Sequence, residues 1–315
     1  MSLLEEALCR EREKRVLSIQ SHVVHGYAGN KASVFPLQLH GFEVDPVNSV
    51  QFSNHKGNIE FLNLPKRYEH VKGQKLTEVE LTELFEGLKL NDLDEYTHIL
   101  TDPSFLRKIA DIVEELKRKD PNTLFVCDPV LGDNGRYYVP TSLLPVYRDV
   151  VVPLANVLTP NAFELGELVG FVISNEDDCI RGMDVIHDMG VETVVVTSGV
   201  EESQTPETLC CYASHKNVDG STRRYRFRFP RILGQFVGTG DVFDSLLIAW
   251  LDNTNNDVRD AVGHVLGSMQ GLLKKTSQYA QAQVDKNSRK TCELRLVESR
   301  FELLVPEKVF EGEVL

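Results

Sequence analysis

Short runs of aliphatic and β-branched residues alternate along this chain with stretches in which apolar residues recur every three or four positions. Residues 15–19 read as a first strand, followed by a loop containing Gly26 and Gly29. A helix over residues 32–39 then stops at Gly41, a residue suited to the left-handed turn that ends helices. Residues 44–47 read as a second strand, and Thr77 with Glu80 has the spacing of a capping box opening a helix to about residue 88. Residues 98–100 predict a strand. The following helix, 104–118, carries Phe105, Ile109, Ile112, Val113 and Leu116 on one face. Strands at 123–127, 155–158 and 192–196 end on Asp128, Thr159 and Thr197.

This rhythm predicts an α/β fold, with a mainly parallel central sheet and helices on both faces. Between residues 209 and 229 it gives way to strict alternation with a turn at Asp219 and Gly220, which predicts an antiparallel hairpin at the sheet edge. Two helices are expected over 240–251 and 257–282, and a closing strand pair at 293–297 and 307–311. Open α/β sheets bind ligands beyond the carboxyl ends of their strands, so Ser21, Asp128, Thr159, Asn161, Thr197 and Ser198 are expected along one edge. No repeat or flexible linker divides the chain. One domain over residues 14–315 is expected after an extension of residues 1–13.

Charge narrows the function classes. Acidic residues outnumber basic ones 47 to 34, and a net charge of −13 does not suit a surface that tracks nucleic-acid phosphates. The basic run from Arg223 to Arg228 alternates at period two and reads as an edge strand with one solvated basic face. No apolar run is long enough to span a membrane, and acids interrupt the first ten residues too early for a signal peptide. The six cysteines lack metal-binding or disulfide spacing, so reduced thiols and a cytoplasmic address are expected.

Four clusters carry candidate chemistry. Gly238-Thr239-Gly240-Asp241 precedes a helix, where a tight turn and the helix N-terminus can form an anion hole. Asp241 is placed there to take a proton from an attacking hydroxyl, although an acid in a first turn is also an ordinary cap. Asp128 and Asp133 flank a Gly turn that suits a divalent cation bridging phosphates, or simply a solvated turn. Asn161 and Glu164 read equally as a capping box or as groups near phosphates and their metal. Thr197 and Ser198 bring hydroxyls to a strand end.

Taken together and in this order, these clusters resemble the ribokinase-like superfamily and, within it, the pyridoxal kinases. The resemblance also rests on Val16 to Val23 with Gly26-Tyr27-Ala28-Gly29-Asn30, and on the run Asn48-Ser49-Val50-Gln51-Phe52-Ser53-Asn54-His55. It implies a ribokinase-like three-layer sandwich and ATP-dependent phosphorylation of the 5′-hydroxymethyl group of pyridoxal, pyridoxine or pyridoxamine, in a homodimer. By the same resemblance Asp241 is the base and Gly238, Thr239 and Gly240 hold the transferred phosphoryl group. Asp128, Asp133, Thr159, Glu164 and Thr197 belong to Mg²⁺ and a monovalent cation such as K⁺. Asn161, Glu164, Thr197, Ser198 and Thr239 approach the triphosphate, while Ile232, Leu233 and Gly234 border the adenosine. Ser21, Phe52, His55, Tyr138 and Val237 surround the vitamer ring.

The chain departs from that family on the substrate side. Lys56 stands where a Thr is usual and is followed by an extra segment, residues 58–69. The loop after Thr101 is short and lacks a ring-contacting Tyr. Lys56 is a candidate partner for the vitamer's phenolate or aldehyde, or a solvated lysine. Another small hydroxymethyl or sugar kinase of this fold, or a nucleotide-binding regulator without turnover, are the competing readings.

Overall fold

A computed structural model describes residues 5, 13–55, 68, 70–102, 105–133, 135–200, 205–283 and 293–315. Most of the expected extension, Lys56 and most of the extra segment lie outside the described residues.

Ten strands form one sheet. Its middle is six parallel strands, in the spatial order β2 (Glu43–Phe52), β1 (Arg15–Val23), β4 (His98–Thr101), β5 (Leu124–Cys127), β8 (Val157–Leu158) and β9 (Thr193–Val196). Antiparallel strands flank it on both sides: β3 (Gly73–Lys75) beside β2, and β10 (Thr208–Lys216), β11 (Thr222–Pro230) and β12 (Glu313–Val314) beyond β9. A two-stranded ribbon, β6 (Gly132–Asp133) with β7 (Arg136–Tyr137), stands apart. This is the ribokinase-like α/β sandwich that the rhythm and the resemblance pointed to.

Strand residues alternate between two cores. Leu17, Ile19, Phe125, Cys127 and Val194 pack on α2 (Glu78–Leu90), α3 (Leu106–Lys119), α4 (Ala162–Val169) and α5 (Glu176–Asp188). Val16, Leu100, Val126, Val157 and Val195 face α1 (Asn30–Leu39), α6 (Thr239–Asn253) and α7 (Val258–Ala282). Adjacent Cys210 and Cys211 therefore point to opposite faces, both as buried thiols. The chain runs from β1 outward to β2 and β3, then returns to β4 on β1's other side. The carboxyl ends of β1 and β4 thus border the point where the order reverses, the usual ligand crevice of such sheets.

Three expectations are corrected. Residues 293–297 and 307–311 are not a strand pair: the segment instead holds α8 (Arg300–Leu304), and only Glu313 and Val314 pair, with Arg226 and Tyr225. The basic strand β11 is paired at Tyr225 and Arg226 by β12, and its basic face is answered by acids, Arg224 by Asp184, Arg226 by Glu176 and Glu313, and Arg228 by Glu313. The second strand is longer than the expected 44–47, running from Glu43 to Phe52, so the Asn48 to Phe52 run continues it. Pro46 is tolerated in it because β3 pairs only with Val50 to Phe52, which leaves β2 an edge strand at Pro46 among the described residues.

Candidate functional site

The β1–α1 loop and the start of α6 are built against each other. Gly238 caps α6 at φ +82°, and a Cβ there would lie 2.3 Å from the Tyr27 carbonyl oxygen. Gly29 at φ +57° approaches Ser21 equally closely, and its N–H donates to Asp241 Oδ2 at 2.9 Å. Ser33 Oγ donates to the Asp241 carbonyl at 3.0 Å, fastening α1 to the same turn. Below this loop lies a buried network. Asn30 donates to Val47 O and Asn48 Oδ1 and accepts from Ser18 Oγ, tying β1, α1 and β2 together. Gly238→Ala should cost about 1–2 kcal/mol for the left-handed backbone alone, besides moving the loop. The expected result is a Tm a few degrees lower by calorimetry and a kcat reduced about tenfold or more; an unchanged kcat would show that this close approach does not matter.

Asp241 lies in the first turn of α6, half-buried and opening onto a cleft of about 660 Å³. Burial pushes its carboxyl up to about 6; the Gly29 N–H opposes this and the Asp102 charge adds to it. Asp102 closes β4 and accepts the Ser21 N–H at 2.5 Å. Beside Asp241 the cleft wall carries Asp128 and Asp244, and both carboxyls are raised, first by burial and then by neighbouring negative charge. Asp244 is 1% exposed and its Oδ2 has no hydrogen-bond partner. This corner holds more negative charge than protein donors answer, and that fits a cation. Among the described residues no three His, Cys, Asp or Glu side chains converge as a metal site by themselves. A cation here would therefore share its coordination with ligand oxygens.

Glu164 and Asn161 realise their capping box, with Glu164 N donating to Asn161 Oδ1 and Asn161 N to Glu164 Oε2. Glu164 Oε1 also accepts from Leu131 N and Gly132 N, and Asn161 Nδ2 donates to Gly132 O. Both residues thus hold the β6–β7 ribbon at the cleft mouth.

The cleft brings together Asp128, Asp133, Tyr138, Thr159, Asn161, Glu164, Thr197, Ser198, Val237 and the stretch Gly238 to Asp241. Ser21, Phe52 and His55 are not on its wall. Ser21 abuts Gly29, and His55 reaches the β1–α1 loop through Glu293. Ile232, Leu233 and Gly234 form an outer loop, with Leu233 O accepting from Ser277 Oγ on α7. Asp102, Asp244 and Glu293 were missed by the sequence reading. Asp244 carried a signal, an acid one turn after Asp241 on a helix face that is otherwise apolar. A second hollow, about 590 Å³, opens at the opposite end of β1 and β4, where Asp94 pairs with Lys119 and Tyr96 with Asp45. It lies at the amino ends of the strands and gathers none of the candidate chemistry.

Comparison with known proteins places this geometry. A family model described as phosphomethylpyrimidine kinase matches residues 105–285. A Caenorhabditis elegans protein described as "Putative pyridoxal kinase" is 67% identical over 301 residues, covering 94% of this chain and 92% of the relative. Human pyridoxal kinase is 44% identical over 321 residues, covering 97% of this chain and all of that protein. The structure of Leishmania donovani pyridoxal kinase in complex with ADP and pyridoxamine superposes with a TM-score of 0.85 at 35% identity, over 96% of this chain and 100% of that one.

Proposed function

The chain belongs to the pyridoxal kinase family, and on that footing we propose how its own residues perform the family's reaction. It is an enzyme that phosphorylates B6 vitamers with ATP. The observation that carries the assignment of roles is the Asp241 carboxylate, fixed by the Gly29 N–H at the mouth of the Gly238–Gly240 turn. Asp241 takes the proton of the vitamer's 5′-hydroxymethyl group as its oxygen bonds to the γ-phosphorus and ADP leaves. The N–H groups of Gly238, Thr239 and Gly240 face the charge that develops on the phosphoryl oxygens, with the helix dipole behind them. Thr197, Ser198 and Asn161 flank the phosphates, and Ile232, Leu233 and Gly234 border the nucleoside. Ser21, Phe52, His55, Tyr138 and Val237 form the vitamer side.

A bound Mg²⁺ would neutralise phosphate charge, and K⁺ would do so as a second, monovalent ion. Asp128, Asp133, Thr159, Glu164 and Thr197, together with Asp244, would hold them, a reading supported by the unanswered negative charge of that corner. Residues 14–315 act as one catalytic domain, in a cytoplasmic homodimer. Among the described residues no helix is long and apolar enough to cross a membrane.

ADP release measured with pyridoxal, pyridoxine, hydroxymethylpyrimidine and ribose tests the reading. Saturable turnover is expected with both B6 vitamers and background with ribose. Preference for hydroxymethylpyrimidine would move the substrate to the class named by the matching family model, and no turnover with any acceptor would return the chain to a nucleotide-binding regulator.

A further inference from the structure

Glu293 lies beyond the end of α7, yet its carboxylate is buried against the loops that follow β1 and β2. Oε1 accepts from His55 Nε2 at 3.1 Å and from Tyr68 OH at 3.2 Å, and Oε2 accepts from Tyr27 N at 3.2 Å. Gly26 stands at φ +85° where any Cβ would collide with this same carboxylate. The two loops are also zipped to each other, Val24 N to Phe52 O and His25 N to Ser53 O. Tyr68 packs edge-on against His55 with ring centroids 5.2 Å apart. With Nε2 committed to a carboxylate, the neutral imidazole carries its proton there and presents Nδ1 as an acceptor. That Nδ1 is shielded from solvent and has no hydrogen-bond partner. A buried polar atom left unanswered is costly, so a ligand that brings a donor to it is favoured.

We propose that Glu293 is a positioning residue for vitamer binding, fixing the His55 tautomer so that Nδ1 accepts a hydrogen bond from a hydroxyl on the vitamer ring, and holding the β1–α1 loop whose Gly29 N–H orients Asp241. The inference rests on the vitamer-kinase reading for its ligand. The carboxylate is needed rather than an amide. Gln at this position can turn its NH₂ toward Nε2, which selects the opposite tautomer and removes the acceptor.

Two measurements on the full chain test it. In long-range ¹H–¹⁵N spectra of histidine-labelled protein, with His55 assigned through His55→Gln, the unaltered chain should show a protonated Nε2 and an unprotonated Nδ1 that shifts when pyridoxal is added. In kinetics, Glu293→Gln should raise KM for pyridoxal roughly 10- to 100-fold, the range for losing a hydrogen bond supported by a charge. KM for ATP should stay within about twofold, Glu293→Asp should recover part of the loss, and adding His55→Phe to Glu293→Gln should cost little more. A protonated Nδ1 in the unaltered chain, an equal rise in both KM values, or fully multiplying effects of the two substitutions would overturn the proposal. Failure of the vitamer reading would appear instead as absent vitamer-dependent turnover in the unaltered chain, and the tautomer spectrum tests Glu293 regardless of it. Matching Tm values separate these outcomes from misfolding.

Discussion

Replacing Asp241 with Asn lowers kcat by ~10²–10⁴ while ATP binding, read by calorimetric titration, stays within a few-fold. The substitution keeps size and shape, and the Asn side-chain oxygen can still accept the Gly29 N–H that now meets Asp241 Oδ2. Only the basic lone pair is removed, at the moment when the attacking hydroxyl must lose its proton. The unaltered enzyme should also lose kcat/KM as pH falls through about 6, where the raised Asp241 carboxyl becomes protonated. That acidic limb should be absent from the Asn variant.

Unfolding cannot mimic the result. A carboxyl raised from its ordinary value of 3.8 to about 6 binds its proton more tightly in the folded state, so the ionised form costs stability above that window. The Asn variant should therefore be at least as stable at neutral pH. Turnover within a few-fold of the unaltered enzyme would remove Asp241 from the role of base.

Much of this site was legible because its signals are local. A capping box needs only Thr77 and Glu80, or Asn161 and Glu164, at the right spacing, and both formed. The strand ends at Asp128, Thr159 and Thr197 follow from burial pattern alone, and the parallel sheet gathers them on one edge. The motif around Asn30 and Asn48 marked the right region for a reason the sequence did not reveal. Those amides cross-link β1, α1 and β2 beneath the loop, so the family-like pattern there is partly scaffold. What stayed hidden depends on distant partners. Glu293 meets His55 across 238 positions, and no periodicity encodes that. The two-residue strand β12 exists only because β11 offers it an edge and two arginines for Glu313. The strand pair expected at 293–297 and 307–311 gave way to α8 and the packing of Leu303 and Leu304.

Asp244 makes a prediction whose two halves have opposite signs. A structural acid on a buried helix face should lower stability when neutralised, because its hydrogen bonds were part of the fold. Asp244 is instead raised by burial and by the Asp241 and Glu164 charges, against opposing bonds from Thr159 and Asp128, and one oxygen is unanswered. Asp244→Asn removes the cost of keeping that buried carboxyl protonated at neutral pH, where the unfolded chain would ionise it, and gives Asp128 an amide donor. The ligand-free Tm should therefore rise by several degrees. The cation should be held less well at the same time. The increase in Tm that Mg²⁺ gives the ADP complex should shrink, and the Mg²⁺ concentration for half-maximal ADP release should rise by roughly 10- to 100-fold. A variant that melts lower and titrates with Mg²⁺ as before would make Asp244 a structural acid. Higher stability bought with poorer cation use identifies a charge kept for the ligand rather than for the fold.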